Sequence, residues 1–123
     1  MTPELRTLTG RHVLVVEDDY FQADATCLAF TEVGAEVLGP VGRLEEALAL
    51  VRETVGIDGA VLDINLHDRM VFPLADMLRQ RGVPFVFATG YEPTVIPARF
   101  ADVPHCQKPL EPRSIAQLLF GPA

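Results

Sequence analysis

A repeated switch between two hydrophobic periods constrains this chain more than any other feature. Short apolar runs stand at His12-Val13-Leu14-Val15-Val16, Ala35-Glu36-Val37-Leu38-Gly39, Gly59-Ala60-Val61-Leu62 and Pro84-Phe85-Val86-Phe87-Ala88, with a weaker fifth from Val103 to Cys106. Three of them are almost continuously apolar, as a strand is when helices cover both faces of its sheet. Between the runs the period becomes helical. Residues 20–33 carry a stripe of Phe21, Ala25, Leu28 and Ala29 before Gly34, and residues 44–53 carry Leu44, Ala47, Leu48 and Val51. Residues 72–81 carry Leu74, Ala75 and Leu78 before Gly82, a stop signal like Gly34. A last helix is expected from Pro112, with Ile115, Leu118 and Leu119 turned inward, because proline suits a first helical turn. Pro93 and Pro97 interrupt the stretch 92–101, so a helix there is expected to be short or irregular and the softest part of the fold. Strand–helix alternation repeated five times implies an α/β fold, one parallel sheet with right-handed crossovers.

The 123 residues leave room for one domain. We expect residues 1–9 to be a loose tail and 10–121 to be the domain, with no output domain after it. Ten Lys and Arg against seventeen Asp and Glu leave a net charge of −7. That balance excludes a basic face for nucleic acid and a polybasic membrane anchor. No apolar run is long enough to span a bilayer, and MTPELRTLTG lacks the apolar centre of a signal peptide, so the expected location is the cytoplasm. Cys27 and Cys106 show no metal-ligand spacing and read as small core residues.

Ligands of an open parallel sheet bind beyond the carboxyl ends of its strands. After the first strand stand Glu17, Asp18 and Asp19; after the third, Asp63, Ile64 and Asn65; after the fourth, Thr89 and Gly90; after the fifth, Lys108 and Pro109. Crowded carboxylates repel one another and persist when a cation neutralises them. Hard oxygen donors without His or Cys favour Mg²⁺. A lysine and a hydroxyl beside that ion suit the oxygens of a phosphoryl group, and a carboxylate facing phosphorus is itself a nucleophile. Asp63, at the end of a central strand, is the best candidate.

Singly, each residue has a plainer reading. Glu17 and Asp18 would serve as acids at a helix start, Asp63 as a loop cap, Thr89 as a turn residue and Lys108 as a solvated lysine. Their convergence on one rim is what favours chemistry. Asn65 remains open between a turn role and a ligand contact. His67 and Asp68 read as a solvated loop, and Arg79, Gln80 and Arg81 as an exposed helix end.

With VLVVEDD, AVLDINL, FATG and QKPL in this order, the chain resembles the receiver domain of bacterial two-component response regulators over about residues 10–120. The resemblance implies a flavodoxin-like (βα)5 fold, a doubly wound five-stranded parallel sheet of order 2-1-3-4-5, here with a short or irregular fourth helix. It implies Asp63 as phosphoacceptor and Mg²⁺ as cofactor. Asp18, Asp63 and the Asn65 backbone carbonyl would hold the ion, with Glu17 acting through a water. Thr89 and Lys108 would hold the phosphoryl oxygens, and the Lys108–Pro109 peptide is expected to be cis. The run from Pro84 to Tyr91 resembles the subgroup named for its Phe-Ala-Thr-Gly motif, often single-domain receivers served by HWE or related histidine kinases. The implied partners are such a kinase or a phosphotransfer protein, a downstream protein target, and a second copy through the fourth helix, fifth strand and fifth helix. No nucleic acid or membrane partner is expected. One departure concerns position 105, where most receivers carry an aromatic and this chain has His105. Switching is then expected to involve Thr89, Tyr91 and His105, a partly buried strand residue, together with the proline-broken segment.

Three other classes compete. A haloacid-dehalogenase-like phosphatase with Asp63 as nucleophile needs a second acid two residues on, where Asn65 stands. A nucleotide-binding domain needs a glycine-rich loop after the first strand, where acids stand instead. A degenerate receiver that only binds proteins would not retain the full set of acids, threonine and lysine. The expectation is a phosphorylation-controlled signalling domain that catalyses only its own phosphorylation and dephosphorylation.

Overall fold

The computed structural model describes residues 8–66, 69–90 and 96–121. Its strands are β1 (His12–Val16), β2 (Glu36–Val41), β3 (Gly59–Asp63), β4 (Asn65–Leu66), β5 (Arg69–Met70), β6 (Phe85–Thr89) and β7 (His105–Gln107). The α-helices among the described residues are α1 (Tyr20–Glu32), α2 (Leu44–Glu53), α3 (Phe72–Gln80) and α4 (Pro112–Phe120). The main sheet runs β2-β1-β3-β6-β7, and every neighbouring pair is parallel. Counted along the chain, that is the expected order 2-1-3-4-5.

Residue alternation along the strands divides the core. Leu14, Val16, Leu62, Phe85 and Phe87 face α2 and α3, while Val13, Val61, Val86 and Ala88 face α1 and α4. The expected stripes of α2 and α3 are buried. Two others are not. On α1, Phe21 is 80% and Leu28 58% exposed, and the helix instead buries Ala23 and Phe30. Polar and apolar residues are spread almost evenly around this helix, so its periodicity does not single out a face. Its start is fixed by Asp19, whose carboxylate accepts the Gln22 N–H at 3.0 Å. On α4, Leu118 is 46% exposed and Ala116 takes the inward place beside Ile115 and Leu119. Leu8, expected in the loose tail, is fully buried in the α1–α4 core. Burial pushes the thiols of half-buried Cys27 and Cys106 up, with Asp24 adding to the effect at Cys27.

β4 and β5 form a small antiparallel hairpin that periodicity does not predict, pairing Asn65 with Met70 and Leu66 with Arg69. His67 and Asp68 lie outside the described residues, as does the stretch 91–95. From Ile96 onward the stretch is packed against the core. A 3₁₀ turn at Ala98–Phe100 inserts Phe100, fully buried, against Phe72, Phe85 and Phe87 with ring centroids 5.7, 6.2 and 5.8 Å away. Arg79 is not merely a solvated helix end. It donates to Asp102 at 3.0 Å and to the Arg99 carbonyl at 2.6 Å, while Arg99 donates back to Asp76 at 2.9 Å. Arg81 likewise donates to the Val51 carbonyl. Among the described residues no helix is long and apolar enough to cross a membrane.

Candidate functional site

Sheet register builds the site. Val16 lies beside Leu62 and Asp63 beside Ala88, so the residue leaving β1, Glu17, emerges next to Asp63, and Thr89 emerges one step beyond. The Lys108 N–H donates to the Thr89 carbonyl at 3.0 Å, extending the β6–β7 ladder until the lysine reaches the same rim. The Lys108–Pro109 peptide is cis, as is Gly39–Pro40. The Glu17 N–H donates to the Val41 carbonyl at 2.9 Å, which ties the acidic corner to the end of β2.

Carboxylate oxygens of Glu17, Asp18 and Asp63 lie within 4.8 Å of one another. Glu17 is buried. The Lys108 ammonium contacts a Glu17 oxygen and stands 3.5 Å from an Asp63 oxygen. Sequence reasoning pairs Lys108 with a phosphoryl oxygen; its close contact with Glu17 is legible only from geometry. Asp63 has a proton affinity pushed up to about 8. Burial is the first cause, the Glu17 carboxyl adds to it by hydrogen bond and charge, Lys108 opposes it, and Asp18 adds a further hydrogen bond. An Asp63 carboxyl so reluctant to ionise is short of positive charge beside it, and three oxygen donors at this spacing fit a small hard cation such as Mg²⁺. Ligating carboxylates of that type typically leave waters on the ion.

The remaining predicted residues are placed as follows. Thr89 donates from Oγ1 to the Cys106 carbonyl at 3.5 Å. Asn65 is exposed and sits in β4, two residues beyond Asp63. His105 is exposed rather than partly buried, paired with Phe87 across the sheet and with ring centroids 6.1 Å apart. An edge strand of three residues covered on few sides explains that exposure. Tyr91 lies outside the described residues. Sequence reading gives Asp19 no role of its own; its capping bond starts α1 beside the acids, and Asp followed by a helical run is the signal that marks such a cap.

A cleft of about 300 Å³ opens beside the cluster. Gln22, Ala25 and Thr26 of α1 form one wall, and Lys108, Pro109 and Leu110 form the other. Beyond it, Tyr20 and Phe21 stand 77% and 80% exposed, their rings edge to face at 5.6 Å.

No protein-family model matches the chain, and no curated protein does. Solved structures do. SdrG from Sphingomonas melonis Fr1 is 35% identical with a TM-score of 0.78, covering 94% of this chain and 96% of that one. The BeF3-activated conformation of SdrG from Pseudomonas melonis Fr1 is 37% identical with a TM-score of 0.68, covering 81% and 85%. A response regulator receiver protein from Sinorhizobium medicae WSM419, 18% identical with a TM-score of 0.69 over 89% and 91% of the two chains, shares the fold.

Proposed function

The chain belongs to the response-regulator receiver family, and on that premise we propose that it accepts a phosphoryl group on Asp63 from a phosphohistidine of a sensor kinase or phosphotransfer protein. The observation that carries this reading is the Lys108 ammonium 3.5 Å from Asp63 inside a three-carboxylate cluster. A 37% identical protein with a BeF3-activated conformation supports it, because beryllofluoride on a carboxylate imitates an acyl phosphate.

In the proposed reaction an Asp63 carboxylate oxygen forms a bond to phosphorus while the phosphorus–nitrogen bond of the donor breaks, and the imidazole nitrogen keeps that electron pair. Asp18 and Asp63, with the Asn65 carbonyl and Glu17 through a water, would hold Mg²⁺, which supplies positive charge to the phosphoryl oxygens. Lys108 gives up its contact with Glu17 to donate to one oxygen, and Thr89 exchanges its long bond with the Cys106 carbonyl for another. The exposed rings of α1 receive the donor protein beside the open cleft. The domain turns over no other substrate, and the added charge biases its surface toward a downstream protein or leaves it as a phosphate sink. A phosphatase using Asp63 is disfavoured because Asn65 cannot shuttle a proton.

The experiment is incubation with acetyl phosphate and Mg²⁺, read by intact mass. One base-labile phosphoryl group, absent in Asp63→Asn, is expected. An unchanged wild-type mass would overturn the proposal.

A further inference from the structure

We propose that Gly39 and Gly42 are positioning residues for the divalent-ion corner: a one-residue bulge at the end of β2 sets the backbone that presents Glu17 and Asp18. The inference rests on the reading of that corner as an Mg²⁺ site and adds the device that shapes it.

The register of β1 against β2 shifts once. His12, Val13 and Leu14 pair with Glu36, Val37 and Leu38, but Val16 pairs with Val41, one residue further along than that register would carry. The extra residue lies between Leu38 and Val41, where Gly39 has φ +100. A Cβ there would stand 2.8 Å from the Val15 carbonyl oxygen and 2.9 Å from the Val41 nitrogen. Both are backbone atoms of the bulge and its partner strand, so no side chain can move aside to admit it. The shift is what puts the Val41 carbonyl, rather than that of its neighbour, 2.9 Å from the Glu17 N–H. One residue on, the two chains nearly touch. A Cβ at Gly42 would lie 3.3 Å from the Asp18 Cα and 3.4 Å from the Glu17 carbonyl oxygen. Glu17 and Asp18 are thereby held from behind by bare backbone on two consecutive residues. Second-layer contacts of this kind orient ligating carboxylates.

Calorimetric titration with Mg²⁺ tests this on the full chain, with urea unfolding measured in parallel. Gly39→Ala is expected to weaken Mg²⁺ binding about tenfold or more, and Gly42→Ala by a smaller factor, in protein that is still folded. Gly56→Ala is the control, since Gly56 also has a positive φ, +87, but nothing lies within 4 Å of its Cβ position. It should lose stability and keep wild-type affinity. Gly42→Ala needs no positive φ, so it decides the matter if Gly39→Ala does not fold. Wild-type affinity in folded Gly39→Ala and Gly42→Ala overturns the inference while leaving the Mg²⁺ site intact. Wild-type protein that binds no Mg²⁺ overturns the ion-site reading instead. Hydrogen exchange at the Glu17 amide then judges the bulge by itself: faster exchange in Gly39→Ala supports it, and unchanged protection overturns it.

Discussion

Lys108 contacts Glu17 more closely than it approaches Asp63, 3.5 Å away. Without a metal, its ammonium is the counter-ion of the acidic corner. On the proposed function, Mg²⁺ and Lys108 compete for the same carboxylates. Lys108→Met should raise Mg²⁺ affinity, because a like charge is removed, yet slow phosphorylation by acetyl phosphate about 100-fold through the loss of one donor to the phosphoryl oxygens. Titration calorimetry and time-resolved mass measurement separate the two. Affinity and rate falling together would contradict the competition.

Asp63 contributes a pH-dependent part of the stability. The unfolded chain releases this proton near 3.8, whereas the folded protein keeps it until about 8. Between these values the folded state binds more protons than the unfolded one, so stability falls as pH rises through the window and levels off above it. Asp63→Asn removes the titration. Urea unfolding should therefore show Asp63→Asn gaining on the wild type from pH 5 to pH 8 in chelator, and gaining much less in Mg²⁺. A constant gap in chelator would show that the corner does not resist ionisation.

The inward face of α1 is Phe30 rather than Phe21. Phe30→Ala should cost about 3–5 kcal/mol by opening a cavity between the helix and the sheet. Phe21→Ser should stay within about 0.5 kcal/mol of the wild type. Chemical unfolding of both variants checks the assignment. On the proposed function, Phe21→Ser should also slow transfer from a kinase without changing the rate with acetyl phosphate.

The turn at Ala98–Phe100 is tied to α3 by two kinds of contact of unequal strength. Phe100→Ala, in the aromatic cluster, should cost about 3–5 kcal/mol. Arg79→Ala, which removes solvent-exposed bonds to Asp102 and to the Arg99 carbonyl, should cost about 1–2 kcal/mol. Equal losses in urea would mean that the contacts of Arg79 secure this segment as firmly as the rings do.

The parallel α/β class and the rim at the strand ends were legible from period and chain order, whereas the strand order 2-1-3-4-5 came with the resemblance to receiver domains. Continuous apolar runs such as Val13-Leu14-Val15-Val16 mark a doubly covered sheet, and such a sheet brings the residues just past each strand to one edge. The face of α1 was not legible, since Phe21, Leu28 and Phe30 are equally apolar and only the Asp19 cap and packing choose among them. The β2 bulge was hidden because a register shift leaves no mark on composition; Gly39-Pro40 ended the predicted strand, whereas pairing resumes at Val41. The β4–β5 hairpin has two-residue strands, too short for alternation to register. The Glu17–Lys108 contact joins residues from opposite ends of the chain and exists only in three dimensions.

Leu8 and Phe120 bracket a practical consequence. Leu8 precedes β1 and is buried in the core, while Phe120 rests against Gly59 at the start of β3 and beneath the Arg11 guanidinium, 4.5 Å from its ring centre. Leu8 and Phe120 thus lie at the pole away from the carboxylates, a strand length of about 15 Å from the acidic edge. A fluorophore or affinity handle attached at this pole would hang from the far side and leave the route to Asp63 unobstructed.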